Sequence, residues 1–489
     1  MRAPLFPSRI FPFFIVLACV SLALPAYSQT FDIRAKTRDN IRALLLDTTV
    51  PTAPRLASGK AFQGSFGSPA LNDKGDVAYA CILAGTGITA FSSNSVVFRA
   101  KGPKSRPVVA IQSYWTTLND NYMNLAVGPN QFPVSGSAYV YRIGKDLGFN
   151  NKREIAFMAE MPFQYYTVDD KGKKTYHPTE TGAYGLLVPL SNARSFLNTT
   201  LNSYLQTFSN DFLTRTLSLD LQGSLPFNGA FLITPTKSVE GFAFATGDPS
   251  GLSPYSAQTI VATVESNVIG LPYLATYQSF SDAIIANGDK TFVTAQISDG
   301  NNEFDGIWQG NSSDLQPVVV KTHTSPDGGK FTTFGEKTGP SRSGKFCAFL
   351  ASTSVGTTGV FRSTVVNTWT SPKSTEKILI AKLGDKAPTN SQAGTLGTFG
   401  GFSLAACSDS GQVALIGNVN GKDGIWLSDA KGENLKLVVI EGQTLTIGKT
   451  QKTLNKIDFN PVSGINRSGK VAFTASFTDR TSAVIVATL

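Results

Sequence analysis

Two histidines, His177 and His323, are all the imidazoles of the 489-residue chain, so a metal site built on several of them is excluded. A Ser-His-Asp triad would have to use one or the other, and both stand in polar stretches that read as loops. No G-x-S-x-G elbow and no phosphate-cradling glycine loop occurs at a strand-to-helix junction. Carboxylates are the other route to hydrolysis, since a glycosidase needs two of them about 5 to 10 Å apart across a pocket. Asp76, Glu154, Asp289, Glu240 and Asp385 are the candidates, and the first four lie at or beside turns of a repeat, where turn chemistry accounts for them. The runs Asp299-Gly300-Asn301-Asn302-Glu303 and Asp169-Asp170-Lys171-Gly172 have the composition of calcium loops without the ligand spacing of one. No catalytic residue, metal or cofactor is therefore expected.

Tyrosine offers binding rather than bond-breaking, because it joins a flat apolar area to a polar tip. Of 14 tyrosines, 8 fall between Tyr114 and Tyr184. Tyr114, Trp115, Tyr165, Tyr166 and Tyr176 are the candidate residues for contact with a ligand or partner. The competing account is that these rings pack insertions onto the body of the protein.

The elements that must position these residues come from a repeat. Leu71-Asn72-Asp73-Lys74-Gly75-Asp76-Val77-Ala78-Tyr79 and Ile465-Asn466-Arg467-Ser468-Gly469-Lys470-Val471-Ala472-Phe473 share the pattern N-x-x-G-x-V-A-aromatic. Weaker copies start at Asn150 (with Arg153 in place of glycine), Lys237, Ile285, Ser341 and Ser408. Asparagine can bond forward to the backbone, and glycine takes the left-handed conformation, so each copy predicts a tight turn into a strand. Looser turns are expected at Lys237 and Ile285. After a loop comes a second strand that closes on an aromatic, at Phe98, Tyr184, Trp308, Phe361 and Trp426, a fixed place that reads as packing between units. A third apolar strand follows.

Seven such units predict an all-β fold: a seven-bladed β-propeller of four-stranded antiparallel blades. The last unit lacks its final strand, and Ala43-Leu44-Leu45-Leu46-Asp47 has the look of that strand, so an N-terminal strand is expected to close the last blade. Insertions are expected at about 111–147, 159–180 and 188–230. Within the third, Leu197, Leu201, Tyr204, Leu205, Phe208 and Phe212 recur at helical spacing and predict one helical insertion.

Residues 1–28 read as a signal peptide, with Arg2 and Arg9 before the apolar run Ile10 to Leu24 and small residues at Ala26 and Ser28. Cys19, in Val16-Leu17-Ala18-Cys19, offers a lipidation site as the alternative. The run is too short to span a bilayer, so residues 29–489 are expected as one exported domain without a transmembrane span, secreted, periplasmic or at the cell surface, and monomeric. Loss of the two arginines takes the formal charge from +9 to +7, with no basic stripe for nucleic acid. Cys81, Cys347 and Cys407 remain, an odd number in no metal pattern, and read as buried thiols.

The units resemble a family of exported bacterial tandem-repeat proteins defined by an N-x-x-G-x-x-A-F repeat, the match being carried by Asn72, Gly75, Ala78 and by Asn466, Gly469, Ala472, Phe473. The resemblance implies export and a propeller-like fold, and implies no reaction. The reading is a non-catalytic binding module whose partner is a surface polysaccharide or another exported protein. The alternative is a carbohydrate-active propeller enzyme, a glycoside hydrolase or lyase using paired carboxylates.

Overall fold

A computed structural model of the chain describes residues 29–36, 61–84, 95–102, 107–112, 131–133, 142–163, 165–177, 180–188, 225–234, 237–247, 255–264, 266–268, 275–281, 284–287, 290–310, 315–321, 323–365, 377–390, 392–447 and 449–489. Among them every regular element is a strand, and every strand pairing is antiparallel. The predicted signal peptide, the helical pattern of 193–214 and the segment 43–47 lie outside the described residues.

Among the described residues, seven sheets follow one another in sequence. The first holds Ala61–Phe66, Val77–Ala84, Ser95–Ala100 and Val108–Gln112, with the short Ala70–Leu71 against its second strand. The second is Arg142–Phe149, Ile155–Phe163 and Glu180–Val188, and the third is Leu225–Thr234, Lys237–Gly247 and Tyr255–Thr263. Where four strands were expected, the described residues give these two sheets three. The fourth sheet centres on Lys290–Ser298, the fifth runs from Phe331 to Lys382 and the sixth from Phe399 to Ile440. The last sheet is Thr444–Ile447, Thr450–Phe459, Val471–Phe477 and Ser482–Thr488.

The motif turns have the expected geometry. Gly75, Gly344, Gly411 and Gly469 take φ of 79°, 67°, 89° and 75°, and Arg153, where glycine is replaced, takes φ 66°. Two weak copies behave differently. Lys237 is already in a strand, paired with Thr234, so the hairpin turn precedes that frame. Around Ile285 the chain pairs as Ile284 to Phe292 and Ala286 to Lys290, which shifts the turn toward Asn287.

Alternate residues of one strand serve two different cores, which is why these strands read as near-continuous apolar runs. Ala414 and Ile416 face the last sheet, whereas Val413, Leu415 and Val419 face the fifth. In the last sheet Phe473 and Ile485 face the sixth, while Ala472, Val484 and Val486 pack on Tyr79, Val96 and Phe98 of the first. The row of sheets thus returns to its start. The backbone N–H of Leu71 donates to Ser463 (2.7 Å) and the Thr474 hydroxyl to Gly67 (2.8 Å) across that junction.

An N-terminal strand does join the last sheet: Thr30–Lys36, paired along Ser482–Thr488. It takes the place that Lys377–Lys382 and Lys436–Ile440 hold in their sheets. A bulge between Ile33 and Ala35 explains why it was missed. Phe31 and Ile33 pack toward the sixth-sheet side, and the extra residue turns Ala35 to the core shared with the first sheet. Its pattern therefore changes face midway.

The glycine that opens the second strand has a steric cause. A Cβ at Gly424 would lie 2.6 Å from the Trp426 ring, and one at Gly306 would overlap Trp308, because residues two apart share a face. Phe98, Trp308, Phe361 and Trp426 are all fully buried, as packing requires. An eighth, small sheet stands apart from this series: Gln131–Pro133, Tyr165–Val168 and Lys174–Tyr176.

Candidate functional site

The repeat turns converge and bond to one another. Asn72 Oδ1 accepts the N–H groups of Lys74 (3.0 Å) and Asp76 (2.9 Å), while its Nδ2 donates to the carbonyl of Asn150 in the next sheet (3.2 Å). Asn466 repeats both halves: Oδ1 accepts from Ser468 (3.1 Å) and Lys470 (2.9 Å), and Nδ2 donates to the Asn72 carbonyl (3.3 Å). A chain of amides therefore runs from the last sheet to the first and on to the second. Asparagine suits the position because one side chain must both accept within its own turn and donate to its neighbour. Ser341 and Ser408 supply the accepting half, to the N–H of Phe346 and of Gln412, both at 3.1 Å.

The next motif position makes a second set of bonds that the sequence reading missed. Asp73 Oδ1 accepts from the N–H of Arg467 (2.9 Å), Asn151 Oδ1 from that of Asp73 (2.9 Å), and Asp409 Oδ1 from that of Ser343 (2.7 Å). Arg342, which holds the same position in the fifth sheet, donates to the Leu71 carbonyl in the first. Its own carbonyl accepts from Asn287 of the fourth (2.6 Å). Burial lowers the Arg342 pKa, and Asp73 and Asp409 oppose that shift. The signal available was the column itself: Asp73, Asn151 and Asp409 put short acceptors at one repeat position.

Three of the candidate carboxylates, Asp76, Glu154 and Asp385, have structural partners. Asp76 is 3% exposed and takes the Arg153 Nε at 2.6 Å. Glu154 accepts from Asn150 Nδ2 (2.7 Å), and Asp385 from the N–H of Lys382 (3.1 Å). Asp289 lies outside the described residues, and only the backbone of Glu240 is described. Both calcium-like runs are turns: Asp299 Oδ1 accepts from Asn301 (2.9 Å) and Asn302 (2.7 Å), and Asp169 Oδ1 from Lys171 (3.0 Å) and Lys173 (2.8 Å). Among the described residues no three His, Cys, Asp or Glu side chains gather at metal-binding distance.

His177 Nε2 lies 3.0 Å from Thr167 Oγ1 in the small sheet. His323 is half-buried, its Nδ1 accepting from the N–H of Val320 (3.3 Å), and burial, helped by Lys377, pushes its pKa down to about 4. Cys81, Cys347 and Cys407 are buried free thiols whose pKa values burial raises, Cys407 to about 12.

The tyrosine candidates divide. Tyr114 and Trp115 lie outside the described residues, and of Tyr165 only the backbone, paired with Pro133, is described. Tyr166 and Tyr176 are brought together as direct cross-strand partners, with ring centroids 5.5 Å apart. The hairpin between them closes on Asp169-Asp170-Lys171-Gly172, the repeat's own turn chemistry, with Gly172 at φ 78°. Segments from the first and second predicted insertions thus pair into one sheet. Tyr176 is 65% exposed, and Lys174, which the sequence reading did not single out, places its Nζ 4.4 Å from the Tyr166 centroid.

The comparisons give the fold distant company and no activity. A structure from work on two prolyl endopeptidases matches at 12% identity and TM-score 0.39, over 87% of this chain and 50% of that one. TolB from Acinetobacter baumannii matches at 11% and 0.31, over 78% and 65%, and a thermostable family-43 glycoside hydrolase at 9% and 0.22, over 62% and 90%. The chain spans about half the length of the first of these and about two thirds of the second. No curated protein matches it. A family model matches residues 50–489, and the chain belongs to that family, the Family of unknown function (DUF7453).

Proposed function

We propose that the chain is an exported seven-bladed β-propeller that binds a surface polymer or another exported protein and catalyses no reaction. Seven consecutive sheets, cores shared between neighbours and an N-terminal strand set into the last sheet support the ring. Residues 1–28, read as a signal peptide, support export to the periplasm, the cell surface or the medium. The carboxylates engaged in turns favour binding over hydrolysis.

The observation that carries the reading is the small sheet that pairs Tyr166 with Tyr176 and leaves Tyr176 open to solvent. An exposed tyrosine beside a second ring joins flat apolar area to a polar tip, the composition of recognition surfaces. A screen of the purified chain against glycans and cell-wall polymers, beside a Tyr166→Ala, Tyr176→Ala double variant, tests this. Binding that falls at least about tenfold in the variant, with an unchanged melting temperature, is the expected result. Equal binding by both proteins would place recognition elsewhere.

A further inference from the structure

We infer, resting on that recognition face, that its ligand is an anionic polysaccharide whose sugar rings carry carboxylates. The register pairs Tyr166 with Tyr176 and Val168 with Lys174, so all four share one face of the hairpin. Lys174 lies over the Tyr166 ring, whose negative face holds the ammonium in place. Tyr176 beside it is the open platform. A pyranose offers a C–H face that stacks on such a ring, and a ring carboxylate then meets an ammonium that is already positioned.

The local charge favours the same class. Lys171 and Lys173 stand exposed in the adjoining turn. Asp169 directs Oδ1 at the backbone N–H groups of those same two residues, and the turn sets three lysines, Lys171, Lys173 and Lys174, against two aspartates, Asp169 and Asp170, a balance that is positive by one charge. A neutral glycan would instead call for amide or carboxylate side chains to bond its hydroxyls, and Val168 and Lys174 fill those places on this face.

Affinity electrophoresis of the full chain through gels containing polygalacturonate, its methyl ester or dextran tests the inference, with Lys174→Gln and Tyr176→Ala alongside. Both residues are exposed, and the melting temperature of each variant is measured in parallel. Retardation by polygalacturonate alone is expected, weakened by salt and reduced at least about tenfold in each variant. Equal retardation by the ester, lost in Tyr176→Ala, overturns the anionic assignment and leaves the recognition face standing. Retardation by no polymer, or by polygalacturonate equally in all three proteins, overturns both.

Discussion

Asn72 shows how much one repeat residue does: it caps its own turn, donates to the Asn150 carbonyl and lies 3.3 Å from the Asp76 carboxylate while fully buried. Aspartate has nearly its shape but no donor, and would set two carboxylates against each other beside a carbonyl. Asn72→Asp should therefore destabilise the protein by about 2 to 4 kcal/mol. Asn72→Ser, which imitates Ser341 and Ser408, should cost about 1 kcal/mol. Urea unfolding of the two variants checks this, and an aspartate variant no less stable than the serine one would remove the donor from the account. The accepting half was legible in the sequence, because it is local to the turn. The donating half was not, since it depends on which turn lies alongside. Arg153 makes the same point: its left-handed backbone is strained for a side chain, and the buried Asp76 it pairs with belongs to another sheet.

At the scale of elements, residues 323–330 between the fourth and fifth sheets hold two groups whose protonation the fold resists. His323 accepts from Val320, and its carbonyl takes the N–H of Phe331 (3.0 Å). Burial opposes ionisation of Asp327, but hydrogen bonds from Ser325, Thr357, Thr353 and the Gly329 N–H outweigh it and hold its pKa down to about 2. Both values are depressed in the fold, so the unfolded chain takes up protons first and stability falls with pH. For His323 the loss runs from pH 6.5 to about 4, and for Asp327 from 3.8 to about 2. A decline of roughly 1 kcal/mol is expected between pH 7 and 4 from His323, allowing for solvent screening. Thermal melts should show a shallower decline in His323→Asn, whose Oδ1 can still accept from Val320; an unchanged slope would assign the acid sensitivity to other groups. The apolar strands and the N-x-x-G turns that lead into them were readable along the chain. The pairing of residues 131–133 with 165–168 was not, because nothing local announces which distant segments meet. Tyr166 and Tyr176 were readable as binding types, whereas Lys174 joined them only through a register that the sequence does not state.

Across the whole molecule, the strand Thr30–Lys36 is the one member of the last sheet drawn from the other end of the chain. Its apolar residues touch the cores on both sides of that sheet, so removing it exposes Ser482–Thr488 along its length and uncovers two clusters at once. A chain beginning after residue 36 should melt about 10 °C lower or more, and a peptide of residues 29–37 supplied in excess should restore much of the loss. Insensitivity to the truncation, read by calorimetry, would show that the ring holds without it. The same strand also orders events in time. Its partner strand is Ser482–Thr488, so the pair can form only once nearly all of the described residues have been made. Until it forms, Ser482–Thr488 keeps an unpaired edge, and closing a contact between residues so far apart in sequence is expected to be slow and to leave that edge open to proteases and to pairing with other copies.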